Sequence, residues 1–425
     1  MIRLIEALNF RCLRYVSQPM QNFQILVGPN ASGKTTFLDV LGFISDLLRG
    51  GGIDSVIRDR GTNIQDLFFG GHGDRFELAV ELEIPHPRIE SGQKMAEWKR
   101  ARYELQVGLG IGGSYDILDE QVLLLHDAVE QSNANRERLL FPSPPEPPQT
   151  LMASDRAGNG RRRTIRKKYR GNDNYYSELA SRQGKGGWAP SFRLGPKRSA
   201  LANLPGDEQK FPVSSWLREV LSDGIRSVVL NSMALRRSSP PGQGDHFLPD
   251  GSNLPWVIEN LRRDHLERHR NWVEHVQTAL EDLEDVSTGE FEDTKHRYLR
   301  LHYKGGLAVP CWTASDGTLR LLALTLLAYV PELHGIYMIE EPENGIHPMV
   351  MDTVYKSLSS VYQSQIFIAT HSPVLLRCAE PSDVLCFKKD LSGATDIVEG
   401  SRHPGYERWR NEYNLADMHA SGVLG

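Results

Sequence analysis

A glycine-rich loop between an apolar strand and a helix constrains the fold of this chain more than any other feature. Residues 25–36 read ILVGPNASGKTT. The backbone N–H groups of such a loop, and the N-terminus of the helix that follows, point at one place where negative charge is favoured. Gly28 and Gly33 permit backbone conformations and a close phosphate approach that a side chain would obstruct. The segment therefore predicts a cradle for phosphate groups.

The setting of this loop favours a nucleotide site over an ordinary glycine turn before a helix. Residues 23–27 are typical of a buried strand, and apolar residues recur at helical spacing from Phe37 until Gly50 ends the helix. Lys34 can reach the β- and γ-phosphates, and the Thr35 hydroxyl can bind Mg²⁺. The residues predicted to bind the nucleotide are Gly28, Pro29, Asn30, Ala31, Ser32, Gly33, Lys34, Thr35 and Thr36.

Composition sets wide limits on the rest of the chain. The 425 residues, 40% of them hydrophobic, suffice for a large core and suggest two or three domains. The net charge of −5 is small for this length, so any basic surface must be local. Four cysteines without a C-x-x-C pair are typical of a reduced cytosolic protein.

Neither a signal peptide nor a membrane span is expected from the sequence. The longest apolar run, residues 321–330, is too short to cross a bilayer. The glycine loop already begins at Gly28, which leaves no room for a secretory signal before the fold starts. We therefore expect a cytoplasmic protein.

The pattern of strands and helices predicts an α/β fold, a mixed sheet with flanking helices that is split by an insertion. Residues 1–125 contain the glycine loop and form the first half, and residues 296–425 form the second half. A helix is predicted near residues 318–329. The other predicted strands lie at residues 76–84, 103–109, 117–125, 298–303, 307–312, 335–339 and 365–369.

Residues 126–295 form the insertion, which we predict to be largely helical with proline-rich and basic loops. The stretch 141–149 is rich in proline and cannot sustain a helix or a central strand. Eight arginines and lysines lie between Arg156 and Arg170, where they are either solvated or in contact with nucleic-acid phosphates. Spaced apolar residues over 256–286 indicate one or two amphipathic helices.

A second apolar strand ends in two carboxylates. Residues 336–341 read IYMIEE, and an α/β sheet places its ligands at the carboxyl ends of its strands. One carboxylate can hold Mg²⁺ while the next polarises the water that attacks the γ-phosphate. We assign Glu340 to the metal, with Thr35, and Glu341 to the water. The alternative is that Glu340 and Glu341 form a solvated acidic turn. The presence of the glycine loop in the same chain disfavours this alternative.

A third apolar strand, residues 366–369, is followed by His371. A histidine at a strand end is usually structural. This one follows the acidic strand after a one-helix interval, as expected for an adjacent parallel strand. We therefore expect His371 to face the γ-phosphate as a hydrogen-bond switch, in a catalytic role beside Glu341.

Ser315, Asp316 and Gly317 stand at the start of the helix predicted near residues 318–329. The start of a helix is a second place where an anion is favoured. Ser315 or Asp316 can equally act as an ordinary N-cap. The two interpretations are compatible, and both stay open from the residues alone.

Together these elements resemble the heads of ABC-type ATPases, and within them the RecF/SMC heads and the OLD-like (overcoming-lysogenization-defect) ATPases often described as "AAA family ATPase". In this resemblance residues 28–35 match Walker A, residues 315–317 the signature, 336–341 Walker B, 343–347 the D-loop and 370–371 the switch. Residues 5–11 resemble the first strand of those heads, and residues 415–425 resemble their tails. The resemblance covers about half of the chain and omits the insertion.

The resemblance implies ATP and Mg²⁺ as cofactors and a homo-oligomer built from head-to-head dimers. In such heads the Walker motifs of one subunit face the signature of the other. Three departures bear on this expectation: Asp316 and Thr318 replace the commoner signature residues, Glu340 replaces an Asp, and Gln65 is only a candidate for the Q-loop glutamine.

The same resemblance suggests an ATPase that regulates a nucleic-acid-related or antiviral-defence complex. About fifty residues follow His371, so we expect the effector, a nuclease or toxin, to be a separate protein. A RecF-like DNA-repair or loading ATPase that binds DNA near Arg156 to Arg170 is the alternative. A transporter subunit and a slowly hydrolysing scaffold are further alternatives, and the large insertion disfavours the transporter.

Overall fold

The computed structural model describes the chain outside residues 62, 86–97, 127–139, 155–159, 179–189, 245, 332, 410–414 and 421–425. The strands are β1 Ile2–Phe10, β2 Leu13–Pro19, β3 Phe23–Val27, β4 Arg75–Glu83, β5 Arg100–Leu109, β6 Tyr115–Leu125, β7 Arg161–Lys168, β8 Asp173–Tyr175, β9 Ser191–Phe192, β10 Ile225–Val228, β11 Leu283–Glu290, β12 Arg297–Tyr303, β13 Leu307–Pro310, β14 Gly335–Glu340, β15 Ser364–Ala369, β16 Val384–Lys389 and β17 Thr395–Glu399. The α-helices are α1 Lys34–Asp46, α2 Gly52–Arg58, α3 Pro212–Asp223, α4 Ser232–Leu235, α5 Leu254–Asp264, α6 Leu266–Gln277, α7 Asp316–Leu326, α8 Met351–Ser359, α9 Pro373–Cys378, α10 Pro404–Trp409 and α11 Leu415–Ala420.

Three sheets organise these strands. The first is antiparallel, in the order β2-β1-β4-β5-β6-β7-β8-β9. The second has the order β10-β14-β15-β3-β16-β17 and is parallel except for its last pair. The third, β11-β12-β13, is a small antiparallel sheet. The parallel order brings the ends of β3, β14 and β15 to one edge, which is where the site lies.

The parallel sheet is buried on both faces, which explains its nearly continuous apolar strands. Alternate residues of β3 join two different cores. Leu26 packs with α1 and the antiparallel sheet, whereas Ile25 and Val27 pack with α5 to α9. Along β15, Phe367 and Ile368 divide between the two cores in the same way. A strand of this kind appears in the sequence as a short apolar run and not as an alternation of apolar and polar residues.

The predicted α/β head is confirmed, and the insertion differs in detail from its prediction. The two expected amphipathic helices are α5 and α6, but Leu283, which lies inside the predicted helical stretch, begins β11. Residues 126–295 also contribute β7 to β10, which the sequence analysis did not predict. The basic run is therefore partly a strand and not a loop.

Strands from all three predicted segments share the parallel sheet, since β3 lies in residues 1–125, β10 in residues 126–295 and the other four strands in residues 296–425. The three-part division into domains stays a prediction. The helices in the described part of the chain include none that is long and apolar enough to cross a membrane.

Candidate nucleotide-binding site

The glycine loop connects β3 to α1 in the conformation that the sequence requires. Gly28 and Gly33 have φ values of 151° and 108°, where a side chain is strained. A Cβ on Gly28 would lie 2.2 Å from the carbonyl oxygen of Phe387 on β16. A Cβ on Gly33 would lie 2.4 Å from Thr395 Oγ1 on β17. Both glycines are therefore needed for the close packing of the loop against this hairpin.

Lys34 folds back onto the loop that precedes it. Its Nζ donates hydrogen bonds to the carbonyl oxygens of Gly28, at 2.8 Å, and Pro29, at 3.1 Å. Burial lowers the pKa of Lys34 to about 8, although the carboxylates of Glu341 and Glu340 act in the opposite direction. The ammonium is thus held beside the loop, where a phosphate group would replace the carbonyl partners.

Ser32 offers an independent sign that the loop is built for a ligand. Its side chain is only 4% exposed, and its Oγ has no hydrogen-bond partner among the described residues. A buried hydroxyl without a partner costs free energy. A phosphate oxygen in the cradle would satisfy it, so the loop fits the group that its sequence predicts.

Thr35 and Glu340 meet across the sheet edge. Thr35 Oγ1 donates a hydrogen bond of 2.8 Å to Glu340 Oε2. Mg²⁺ prefers oxygen ligands and usually takes one or two carboxylates together with phosphates and waters. The described residues contain no cluster of three or more His, Cys, Asp or Glu that could hold a metal by themselves. This donor pair fits a nucleotide-bound Mg²⁺ and not a closed protein site.

Glu341 stands beside this pair with a constrained backbone. Its φ is 48°, in the left-handed region, and its N–H donates to the carbonyl oxygen of Ala369 at 2.7 Å. Asn344 Nδ2 donates to Glu341 Oε2 at 2.5 Å. A strained conformation held by hydrogen bonds is typical of functional positions. The side chain is exposed at the cleft, where it can contact water.

His371 follows β15 at the same edge. Burial and the neighbouring Lys34 ammonium lower the pKa of His371, while Glu341 and Glu343 oppose the shift. The ring is therefore neutral at pH 7 and can donate a hydrogen bond from one nitrogen. Its backbone N–H donates to Glu343 Oε1 at 3.0 Å.

These side chains line one open cleft of about 590 Å³. Asn30 to Thr36, Glu340, Glu341 and His371 all contribute to its wall. Residues that the sequence analysis missed complete the lining: Arg11, Cys12, Asp66, Phe68, Phe69, Gly70, Gly71, Ala369, Lys389, Ser392 and Gly393. Gln65, the Q-loop candidate, is not among the described lining residues, although the adjacent Asp66 is.

No local signal identified the missed residues. Arg11 and Cys12 form the turn between β1 and β2, Lys389 ends β16, and Ser392 and Gly393 lie in the turn between β16 and β17. The two turns meet because Thr395 N donates to the Cys12 carbonyl oxygen at 2.9 Å. Thr395 Oγ1 also donates to the carbonyl oxygen of Ser32 at 2.9 Å. Only the packing of distant segments brings them to the glycine loop.

The predicted signature lies at the start of α7 and outside this cleft. Ser315 is the N-cap, and its Oγ accepts a hydrogen bond of 3.1 Å from Thr318 N. Asp316 pairs with Arg236 at 2.7 Å, which lowers the pKa of the carboxyl. Ser315, Asp316 and Gly317 are absent from the described lining of the cleft. The capping interpretation of Ser315 is confirmed, and the anion-binding interpretation stays a prediction.

The basic run makes contacts inside the protein. Within β7, Arg166 pairs with Asp119, and Lys167 pairs with Asp173 at 2.6 Å. Arg163 Nε donates to Gln121 Oε1 at 2.8 Å. Arg156 lies outside the described residues. These contacts give several of the charges a structural role within the first sheet.

Comparisons with solved structures identify the fold. A crystal structure of the Smc head bound to the C-winged helix domain of ScpA superposes with a TM-score of 0.52 at 13% identity, over 93% of this chain and 96% of that one. The Smc head with an extended coiled coil bound to the C-terminal domain of ScpA, from Pyrococcus furiosus, gives 0.50 at 12% identity, over 93% and 95%. At such low identity the similarity concerns the fold alone.

A comparison of the sequence with family models identifies the family. A search among curated proteins finds no match. The model described as "AAA domain, putative AbiEii toxin, Type IV TA system" matches residues 23–377, more than four-fifths of the chain. The matched range includes the glycine loop, the acidic strand and His371. The chain therefore belongs to this AAA-domain family, and its fold is that of an SMC-type ABC ATPase head.

Proposed function

We propose that this protein is an Mg²⁺-dependent ATPase whose active site is completed by a second copy of the chain. One observation carries the proposal: the glycine loop, two carboxylates and a histidine, from three separate strands, line a single cleft. The buried Ser32 Oγ, which has no hydrogen-bond partner among the described residues, supports phosphate as the ligand of this loop.

Each residue then has a distinct role. Lys34 contacts the β- and γ-phosphates, and Asn30 to Thr36 surround them with backbone N–H groups. Thr35 and Glu340 would hold Mg²⁺, which neutralises phosphate charge when it is bound. Glu341 orients the attacking water and accepts its proton. His371 donates a hydrogen bond to the γ-phosphate.

The second copy of the chain contributes the start of its α7 to the site. Ser315, Asp316 and Gly317 lie outside the cleft of their own chain, as expected if they cover the nucleotide of a partner. The N-terminus of α7 favours negative charge, although Asp316 offsets part of this effect. Head-to-head dimers are thus the unit of the proposed homo-oligomer.

We further propose that ATP binding controls a separate effector protein, a nuclease or toxin, in a cytoplasmic antiviral-defence assembly. The description of the matching family names a toxin, and the similar Smc heads were crystallised with a protein partner. Both facts concern those proteins and support the proposal by analogy. The RecF-like alternative gains no support from Arg163, Arg166 and Lys167 of β7, which contact groups of the same chain.

Two variants test the ATPase proposal. Lys34→Ala removes the phosphate contact and should abolish ATP binding, since the charge on that side chain is lost. Glu341→Gln retains the size and the hydrogen bond of the side chain but cannot accept a proton, so ATP should bind and persist. We expect kcat to fall by about 10²-fold or more in the second variant. Phosphate release and equilibrium ATP binding measure the two effects.

Matched controls use the same substitutions at exposed positions outside the cleft. Lys304→Ala and Glu292→Gln should hydrolyse ATP at the wild-type rate. Full turnover in Lys34→Ala and Glu341→Gln would refute the assignment. Loss of turnover in the controls would show that the assay reports general damage to the fold.

A further inference from the structure

Glu343 contacts the switch segment, although none of the assigned roles uses it. Its Oε1 accepts two hydrogen bonds, one of 2.7 Å from Thr370 Oγ1 and one of 3.0 Å from the backbone N–H of His371. Thr370 is fully buried, and its N–H donates to the Leu26 carbonyl oxygen at 3.1 Å. One carboxylate oxygen therefore fixes the backbone on which His371 is mounted.

The same turn also contacts the signature. Gly317 packs so closely against the turn that a Cβ at this position would lie 2.6 Å from the carbonyl oxygen of Gly345. The Ile346 N–H donates to the Glu343 carbonyl oxygen at 3.0 Å, which makes residues 343–346 a compact unit. The turn thus touches α7 on one side and the switch segment on the other.

The second oxygen of Glu343 is the unusual feature. Oε2 is buried and has no hydrogen-bond partner among the described residues. A buried carboxylate oxygen without a donor is costly. The contacts of this side chain are therefore expected to serve function and not stability alone.

We propose that Glu343 is a positioning residue for ATP hydrolysis, which holds His371 in register with the cleft and links it to the start of α7. This inference rests on the proposed ATPase function. The residue acts through the Thr370 hydroxyl and the His371 backbone N–H and does not touch the nucleotide. Its removal should therefore leave ATP binding intact and slow the chemical step.

Three variants test the inference. In Glu343→Ala both hydrogen bonds are lost, and we expect kcat to fall by about tenfold to hundredfold, with the KM and the binding constant for ATP changed by less than about twofold. Glu343→Gln retains an acceptor oxygen for both donors and should recover most of kcat. Thr370→Val removes one donor only and should give an intermediate kcat. Glu292→Ala, an exposed carboxylate outside the cleft, is the control.

A second readout needs no turnover. Amide hydrogen exchange over residues 364–376, in the protein without nucleotide, should be faster in Glu343→Ala and at the wild-type rate in Glu343→Gln. The inference is overturned, while the ATPase function stands, if kcat is unchanged in Glu343→Ala. It is also overturned if amide exchange over residues 364–376 is unchanged in that variant. Equal loss of kcat in Glu343→Ala and Glu343→Gln also overturns it. A wild-type protein without turnover refutes the ATPase function, and the exchange rates then still decide whether Glu343 holds the segment.

Discussion

At pH 7 the Lys34 ammonium is charged although its side chain is almost completely buried in the glycine loop. The pKa of about 8 reflects that burial, which two nearby carboxylates offset in part. The nucleotide-free protein therefore keeps a proton that is lost only slightly above neutral pH. Bound phosphates add negative charge beside the ammonium and raise its pKa.

This difference predicts how ATP affinity depends on pH. The bound state holds a proton on Lys34 that the free state loses above pH 8, so binding takes up a proton and weakens as pH rises. We expect the Kd for ATP to be nearly constant from pH 7 to 7.5 and to increase, approaching about tenfold per pH unit, above pH 8. Calorimetric titration at pH 7 to 9.5 measures it. A constant Kd over this range would show that Lys34 does not carry the phosphate interaction.

A second prediction at this scale concerns Gly317, whose Cα lies against the Gly345 carbonyl oxygen. Gly317→Ala forces the turn of residues 343–347 to move, because the new Cβ would lie 2.6 Å from that oxygen. We expect ATP binding to persist and hydrolysis to fall by about tenfold or more. Wild-type phosphate release in this variant would show that the contact between Gly317 and the turn of residues 343–347 does not affect hydrolysis.

At the scale of elements, the hairpin of β16 and β17 supports the glycine loop. Its Phe387 carbonyl oxygen lies where a Cβ of residue 28 would be, and its Thr395 hydroxyl binds the Ser32 carbonyl oxygen. The loop conformation is thus fixed by the hairpin as well as by its own glycines.

Gly28→Ala tests this support. The substitution combines a 2.2 Å approach to a backbone oxygen with a φ of 151°, so we expect a loss of at least about 2 kcal/mol in the free energy of unfolding. Thermal unfolding should begin several degrees lower, and ATP binding should weaken. Gly206→Ala is the control, since its Cβ has open space and its φ is ordinary. Equal unfolding temperatures for the two variants would contradict the account.

The elements that sequence could predict are those whose burial follows from local pattern. β3, β14 and β15 are buried on both faces and read as apolar runs before Gly28, Glu341 and His371. β7 could not be predicted, because its arginines and lysines are compatible with a strand only once Asp119 and Asp173 lie opposite them. Those partners come from neighbouring strands, which local periodicity does not reveal.

At the scale of the whole molecule, the cleft depends on segments that are far apart in the chain. The turn at Arg11 and the end of β16 at Lys389 line the cleft together with the glycine loop, and both large sheets pack against α1. The sequence therefore predicted the edge of the cleft that carries Glu341 and His371 but not its opposite wall. Residues 126–295 contribute strands to both large sheets, β7 to β9 to the first and β10 to the parallel one.

The central claim is that one chain binds ATP and a second chain completes the site. It predicts that two inactive variants restore activity when they are mixed. Lys34→Ala disables one glycine loop and Ser315→Arg blocks one signature, so a mixed dimer keeps one site with both halves intact.

Phosphate release from an equimolar mixture of Lys34→Ala and Ser315→Arg, refolded or co-expressed so that subunits exchange, is the most direct measurement. We predict that each variant alone is inactive and that the mixture reaches about a quarter of the wild-type rate, since half of the dimers are mixed and each has one intact site. Activity of Ser315→Arg alone at the wild-type rate, or no recovery in a mixture shown to contain mixed dimers, would contradict the account.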